Sequence, residues 1–175
     1  VHGSRGLGDV YKRQFIFLTV SLTNINNAFS ISPDVFIQST VNRASQLLSK
    51  DTSKDDKMSE LKLIAKETVD IRGIGFYSLG AARKNLNENQ KKTYSDLFEK
   101  YFLKSFASRL AEYTNPEIEV KKKQVLNKSY TIVNSILVGT AERPEVNINW
   151  RVYTKNPNNP LIRDLIIEGL SLART

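Results

Sequence analysis

The sequence predicts an α+β protein: N-terminal helices, one of them long and aromatic, packed on a four-stranded antiparallel sheet that encloses an apolar cavity. Two observations predict it. Up to Tyr113 the apolar residues recur with the period of a helix, and after Asn115-Pro116 they recur every second residue. A third points to the cavity. Between Asn87 and Tyr113, rings or aliphatic side chains fall at Tyr94, Leu97, Phe98, Tyr101, Phe102, Phe106, Leu110 and Tyr113, a stripe about five turns long. Rings make a wide, stiff apolar wall, which suits either core packing or the lining of a ligand cavity.

Size and composition set the bounds. The chain of 175 residues is long enough for one domain with a real core. It has no cysteine, so disulfides, thiol catalysis and thiolate metal sites are absent. Its one histidine is His2, in a segment discounted below, which leaves little for transition metals, for histidine acid–base chemistry or for a Ser-His-Asp triad. The net charge of +8 suits nucleic acid, anionic lipid or an acidic partner without choosing among them.

Taken in order, residues 1–14 read as a sequencing artefact: Ser4–Gln14, SRGLGDVYKRQ, looks like a translated library adapter. Without them the net charge falls by two, because Arg5, Lys12 and Arg13 leave together with Asp9. Phe15–Leu22 is apolar but shorter than the roughly 20 residues a membrane-spanning helix needs. Ala28-Phe29-Ser30 then gives a small-x-small site, so residues 15–30 read as the remnant of a secretory signal peptide. The folded domain is expected over residues 31–175, exported, and for a cysteine-free chain most simply in a bacterial periplasm.

Ser32-Pro33-Asp34 opens a first helix, since proline is tolerated where a backbone N–H has no partner. Ile37, Val41, Ala44 and Leu48 share one face of Val35–Ser49. After a polar break at Lys50–Lys57, Leu61, Ile64, Ala65 and Thr68 share a face of Met58–Val69. Asp70–Gly80 carries Gly73, Gly75 and Gly80 among apolar residues, a cost in helix propensity that predicts close packing against a neighbour. Asn87 and Gln90 form a capping box for the aromatic helix.

In the second half, Ile118–Val125 is a charged strand containing Lys121, Lys122 and Lys123. Tyr130, Ile132, Asn134, Ile136 and Val138 alternate on the next, and Val146, Ile148, Trp150 and Val152 on the third. Asn156–Pro160 is a hairpin loop, and Leu161–Ile167 is the fourth strand. The four make an antiparallel meander that is apolar on one side.

Several residues along the chain carry a family resemblance: Asp70-Ile71, Ile74, Leu79-Gly80, the basic pair Arg83-Lys84, Gln90 and Tyr94 leading into the aromatic helix, then Asp164, Glu168-Gly169 and Ser171-Leu172. In that order they resemble the MlaC/toluene-tolerance family of periplasmic phospholipid-binding proteins, over about Pro33 to Thr175. Arg83 stands where the family usually has an aromatic, and a tryptophan common near the start of the last strand is missing. The family continues with one or two further helices, so Thr175 is expected to be an assembly end.

The resemblance implies a phospholipid ligand and a shuttle between the outer and inner membranes. It also implies two partners, an inner-membrane ABC complex with an MCE-type subunit and an outer-membrane lipoprotein associated with porins. No cofactor, metal or catalytic residue is implied, and the chain is expected to be a monomer. Periodicity itself supplies only the apolar faces. Joined to the resemblance, it nominates Phe76, Leu79, Phe98, Phe102, Phe106 and Leu110 from the helices as lipid-lining, with Ile132, Ile136, Val138, Val146, Ile148, Trp150, Val152, Leu165 and Ile167 from the sheet. Other chemistry is thin. Asp164 and Glu168 fall on one strand face with Ile162 and Ile166 and read as a solvent-side or turn-anchoring pair. Gly73-Ile74-Gly75 lacks the Lys-Ser/Thr of a phosphate loop. The Lys121–Lys123 run reads as protection of a sheet edge. The aromatics lie with the apolar stripes and are not interleaved with basic residues as nucleic-acid binding requires. A small-molecule isomerase or dehydratase and a cavity-free interaction module stay open as alternatives. A buried titratable group in the pocket would mark the first, and a solid core the second.

Overall fold

The computed structural model describes residues 30–173. The adapter-like segment, nearly all of the leader segment and the chain end therefore lie outside the described residues. Four α-helices come first: α1 (Pro33–Leu48), α2 (Lys54–Thr68), α3 (Ile71–Ser78) and α4 (Glu88–Leu110), with a 3-10 segment at Gly80–Asn85 between the last two. An antiparallel sheet follows in sequence order: β1 (Ile118–Asn127), β2 (Tyr130–Leu137), β3 (Val146–Tyr153), β4 (Leu161–Ile167) and β5 (Leu170–Ser171).

Local chemistry fixes the helix starts. Pro33 opens α1. Ser53 caps α2 by accepting from Asp56 N–H, so α2 begins inside the stretch expected to be a break. Asp70 caps α3 through Gly73 N–H, and Asn87 and Gln90 form the full capping box of α4. Gly75 explains the glycines of α3: a Cβ there would stand 2.8 Å from the Phe98 ring, so α3 and α4 pack closer than any larger residue allows.

The sheet differs from expectation in three ways. First, a fifth strand exists. Glu168 and Gly169 take φ of 47° and 83°, the left-handed values of a two-residue hairpin turn, and fold Leu170-Ser171 back onto Ile167 and Ile166. Second, β2 turns its other face to the helices. Val133 pairs with Trp150 and Thr131 with Val152, both inward, which sends Ile132, Ile136 and the following Val138 to the far side. Third, β4 bulges. Val152 opposes Ile162 and Arg151 opposes Asp164, leaving Arg163 as the extra residue. Ile162, Leu165 and Ile167 thereby all face the helices, while Ile166 faces away opposite Asn149.

Helices and sheet meet in three packed clusters. Ile37 and Val41 of α1 sit on Val133, Val152 and Ile162. Leu47, Leu48, Leu61, Ile64 and Ala107 join α1, α2 and α4, and Ala65, Ile71 and Leu103 join α2, α3 and α4. The corner between α2 and α3 is pinned to the bulge. Asp70 N–H donates to Ile162 O at 2.9 Å, and Arg163 Nε donates to Asp70 at 2.6 Å. Arg163 also donates to Tyr130 Oη and lies over the Tyr153 ring, 3.7 Å from its centroid.

Candidate functional site

The clusters leave a space between them. A half-open hollow of about 600 Å³ runs between the four helices and the inner face of the sheet, within the usual range of ligand pockets. From α4 it is lined by Phe98, Phe102, Phe106 and Leu110. Phe98, Phe102 and Phe106 form a ladder with Tyr94, successive centroids 5.8, 6.2 and 5.6 Å apart. The spacing i, i+4 puts one ring above the next, and near-parallel planes give a continuous aromatic wall. Facing it are Val146, Ile148 and Trp150 of β3 and Leu165 and Ile167 of β4.

Nine of the nominated residues therefore surround the hollow and six do not. Phe76 lies under the Arg72 guanidinium, 5.3 Å from its ring centroid, and neither it nor Leu79 reaches the hollow. Ile74 and Ser78 line it from α3 in their place. Ile132, Ile136 and Val138 are excluded by the face that β2 presents. Val152 faces inward but is completely buried in solid core with Ile37 and Val41. The helical stripe is also narrower than its sequence suggested: Leu97 and Tyr101 are 60% and 71% exposed, and the buried seam of α4 is Leu103 and Ala107. Most of the other residues that the nomination missed come from α1 and α2, among them Val41, Ala44, Leu48, Leu61, Ile64 and Ala65, with Leu137 of β2 and Ile162 of β4 from the sheet. Their signal was present, since most of these positions form the apolar stripes of the first two helices.

Several polar atoms at the wall are occupied within the protein. Thr40 donates to Phe36 O, Thr68 to Ile64 O and Ser78 to Gly75 O, so these hydroxyls spend their hydrogens on helix carbonyls. Trp150 Nε1 donates to Ser135 Oγ at 2.7 Å, leaving its ring as apolar surface. Asp164 is the only carboxylate among the described lining residues and is almost fully buried; the phenols of Tyr101 and Tyr113 also lie at the wall. It accepts from Ser171 Oγ at 2.6 Å and Ala173 N–H at 3.1 Å, with Arg151 Nη1 at 3.6 Å. Those partners tie β4 to β5 and the residues after it, the turn-anchoring role expected of it. Glu168, its expected companion, lies at the exposed turn and accepts from Asn147 N–H. General acid–base work needs a second group beside the first, and neither lining tyrosine, Tyr101 or Tyr113, is hydrogen-bonded to Asp164, whose partners are Ser171, Ala173 and Arg151. No described group of three His, Asp or Glu residues is placed to hold a metal, and no described helix is long and apolar enough to cross a membrane. A hydrocarbon-faced hollow suits a long apolar ligand.

The family model for MlaC protein matches residues 38–175. This chain belongs to the MlaC family. Its MlaC fold is shared with a solved structure, the phospholipid-binding protein from Ralstonia solanacearum in complex with a phospholipid. The two agree with a TM-score of 0.67 at 17% sequence identity, over 82% of each chain. At that identity the likeness is one of fold. No curated protein matches this MlaC member.

Proposed function

We propose that this protein binds phospholipid by taking an acyl chain into the hollow, and that it ferries lipid across the periplasm between the outer and inner membranes for an ABC transport system. The observation that carries the reading is the wall itself: rings on one side, aliphatic strand residues on the other, and the Thr40, Thr68, Ser78 and Trp150 polar atoms bonded within the protein. A ligand that brought its own hydrogen-bonding groups would find few free partners there, whereas hydrocarbon loses nothing.

Size sets what fits. If a methylene takes about a water's share of liquid volume, ~30 Å³, a chain of about 16 carbons needs roughly 480 Å³. The hollow is large enough for one such chain. Burying a methylene is worth about 0.8 kcal/mol, so leaving that chain in water costs on the order of 12 kcal/mol. A carrier removes most of that cost, and for the same reason release into water is slow. Unloading then requires a docked partner that offers another apolar path. The proposed partners are the inner-membrane ABC complex with an MCE-type subunit and the outer-membrane lipoprotein–porin complex, met transiently by a monomeric carrier without catalytic activity. Organic extraction of the purified full chain followed by mass spectrometry is expected to yield phospholipid at up to one molecule per protein. Extracts without phospholipid overturn the reading. Turnover of a small apolar substrate that stops on Asp164→Asn favours an enzyme instead.

A further inference from the structure

The end of the sheet away from β5 carries a feature that lipid binding in the hollow does not use. β1 is an edge strand, and every residue from 121 to 128 is exposed. Within that run, Lys121 pairs with Glu119 and Lys123 with Asp34, so both nearby acids are already neutralised. Lys122 and Lys128 have no ion-pair partner among the described residues. Nor does Lys155, which the bond from Thr154 N–H to Ser129 O brings beside the β1–β2 turn. Between the lysines, at the tip of the hairpin, Val125 and Leu126 are 70% and 47% exposed. The Lys123–Asp34 pair brings the first turn of α1 to the same end, with Val35 59% exposed.

Edge protection accounts for lysines along β1. It does not account for two adjacent aliphatic residues at the tip, or for Lys128 and Lys155 beyond the strand. Exposed aliphatic residues flanked by unpaired cations have the chemistry of the membrane interface: aliphatic groups enter the acyl boundary while ammonium groups stay at the level of the phosphates. We propose that the β1–β2 hairpin tip, with Val125 and Leu126 and the nearby Lys122, Lys128 and Lys155, docks the protein on an anionic phospholipid surface. An acidic protein surface would satisfy the lysines and leave the tip without an apolar partner. The hollow is lined by other residues, so docking does not depend on its contents.

The test is flotation of the full chain with phosphatidylethanolamine vesicles that contain a minority of phosphatidylglycerol, against phosphatidylcholine vesicles. Three proteins are compared with wild type. The first has Lys122→Glu, Lys128→Glu and Lys155→Glu. The second has Val125→Ser and Leu126→Ser. The third, a control with the same change in net charge, has Lys50→Glu, Lys84→Glu and Lys104→Glu at exposed positions in the helical half. Residues 1–29 are common to all four, so differences among them report the tip. One lysine near an anionic surface changes partitioning about fivefold, so the first variant is expected to lose at least about tenfold. The second is expected to lose the fraction of binding that survives high salt. The control should change by less than about threefold, the loss for one lysine charge being about fivefold. Circular dichroism establishes that each variant is folded. The proposal is overturned if wild type does not bind the anionic vesicles, if the folded first variant binds as wild type does, or if the control loses as much. Retention only on an acidic protein, with none on vesicles, overturns it as well. Lipid recovered by extraction from the hollow is a separate readout, so failure of docking and failure of lipid binding are distinguishable.

Discussion

Asp164 sits 2% exposed at the wall of the hollow with a hydroxyl, a backbone N–H and a guanidinium around it. Removing it takes away the ion-pair partner of Arg151, whose Nε is already without a hydrogen bond. Asp164→Ala is expected to cost about 3 kcal/mol in urea unfolding, the range for breaking one side of a buried pair. Asp34 is the contrasting case, a half-exposed acid in the first turn of α1. The hydrogen bond from Lys123, then that from Ser32, hold its carboxyl at about 2, below the ordinary 3.8. A lowered folded value means the stabilisation is complete above about pH 4 and disappears as pH falls through about 2. Asp34→Asn is therefore expected to cost at most about 1 kcal/mol near neutral pH. The gap between wild type and variant should close by pH 2 in thermal unfolding, and a gap independent of pH contradicts the assignment. Gly75→Ala gains about 1 kcal/mol of helix propensity. It also forces the Phe98 ring away from a Cβ at 2.8 Å. Overpacking of that kind costs about 1–3 kcal/mol, so a net loss of about 1 kcal/mol is expected.

Elements show how far the sequence could be read. The capping box, the close packing of α3 and the inward face of β3 were all legible, because each depends on neighbours in the chain. The face of β2 was not. Its outward residues Ile132 and Ile136 are more apolar than the inward Thr131 and Ser135, and the inward choice is made by pairing with β3 and by the Trp150 hydrogen bond to Ser135. The bulge at Arg163 was equally hidden: it rests on Asp70, ninety-three positions away. In α4 the ring stripe lines the hollow, while the sealed seam is formed by Leu103 and Ala107, which the stripe did not include. Leu103→Ala is expected to cost about 3 kcal/mol of stability. Phe102→Ala, half-buried to begin with, should cost nearer to 1 kcal/mol. The second should mainly reduce the lipid recovered by extraction. Equal losses of stability in chemical unfolding would contradict this division of the helix.

At the scale of the molecule, two packed regions flank a space that neither fills. The helix–sheet cluster around Ile37 and the three-helix cluster around Ala107 are solid, and the ring ladder stands over the gap between them. A ligand that binds only the folded state adds stability in proportion to the logarithm of its free concentration over its dissociation constant. Protein stripped of lipid should therefore melt below protein as purified. The chain contains one tryptophan, Trp150, and it lies at the wall of the hollow opposite the rings. Its fluorescence is the most direct measurement. After loading with phospholipid brominated on the acyl chain and removal of all vesicles, Trp150 emission should be strongly quenched relative to loading with the unbrominated lipid. Emission that is the same with either lipid, in protein shown by extraction to carry the brominated one, would contradict an acyl chain lying in the hollow.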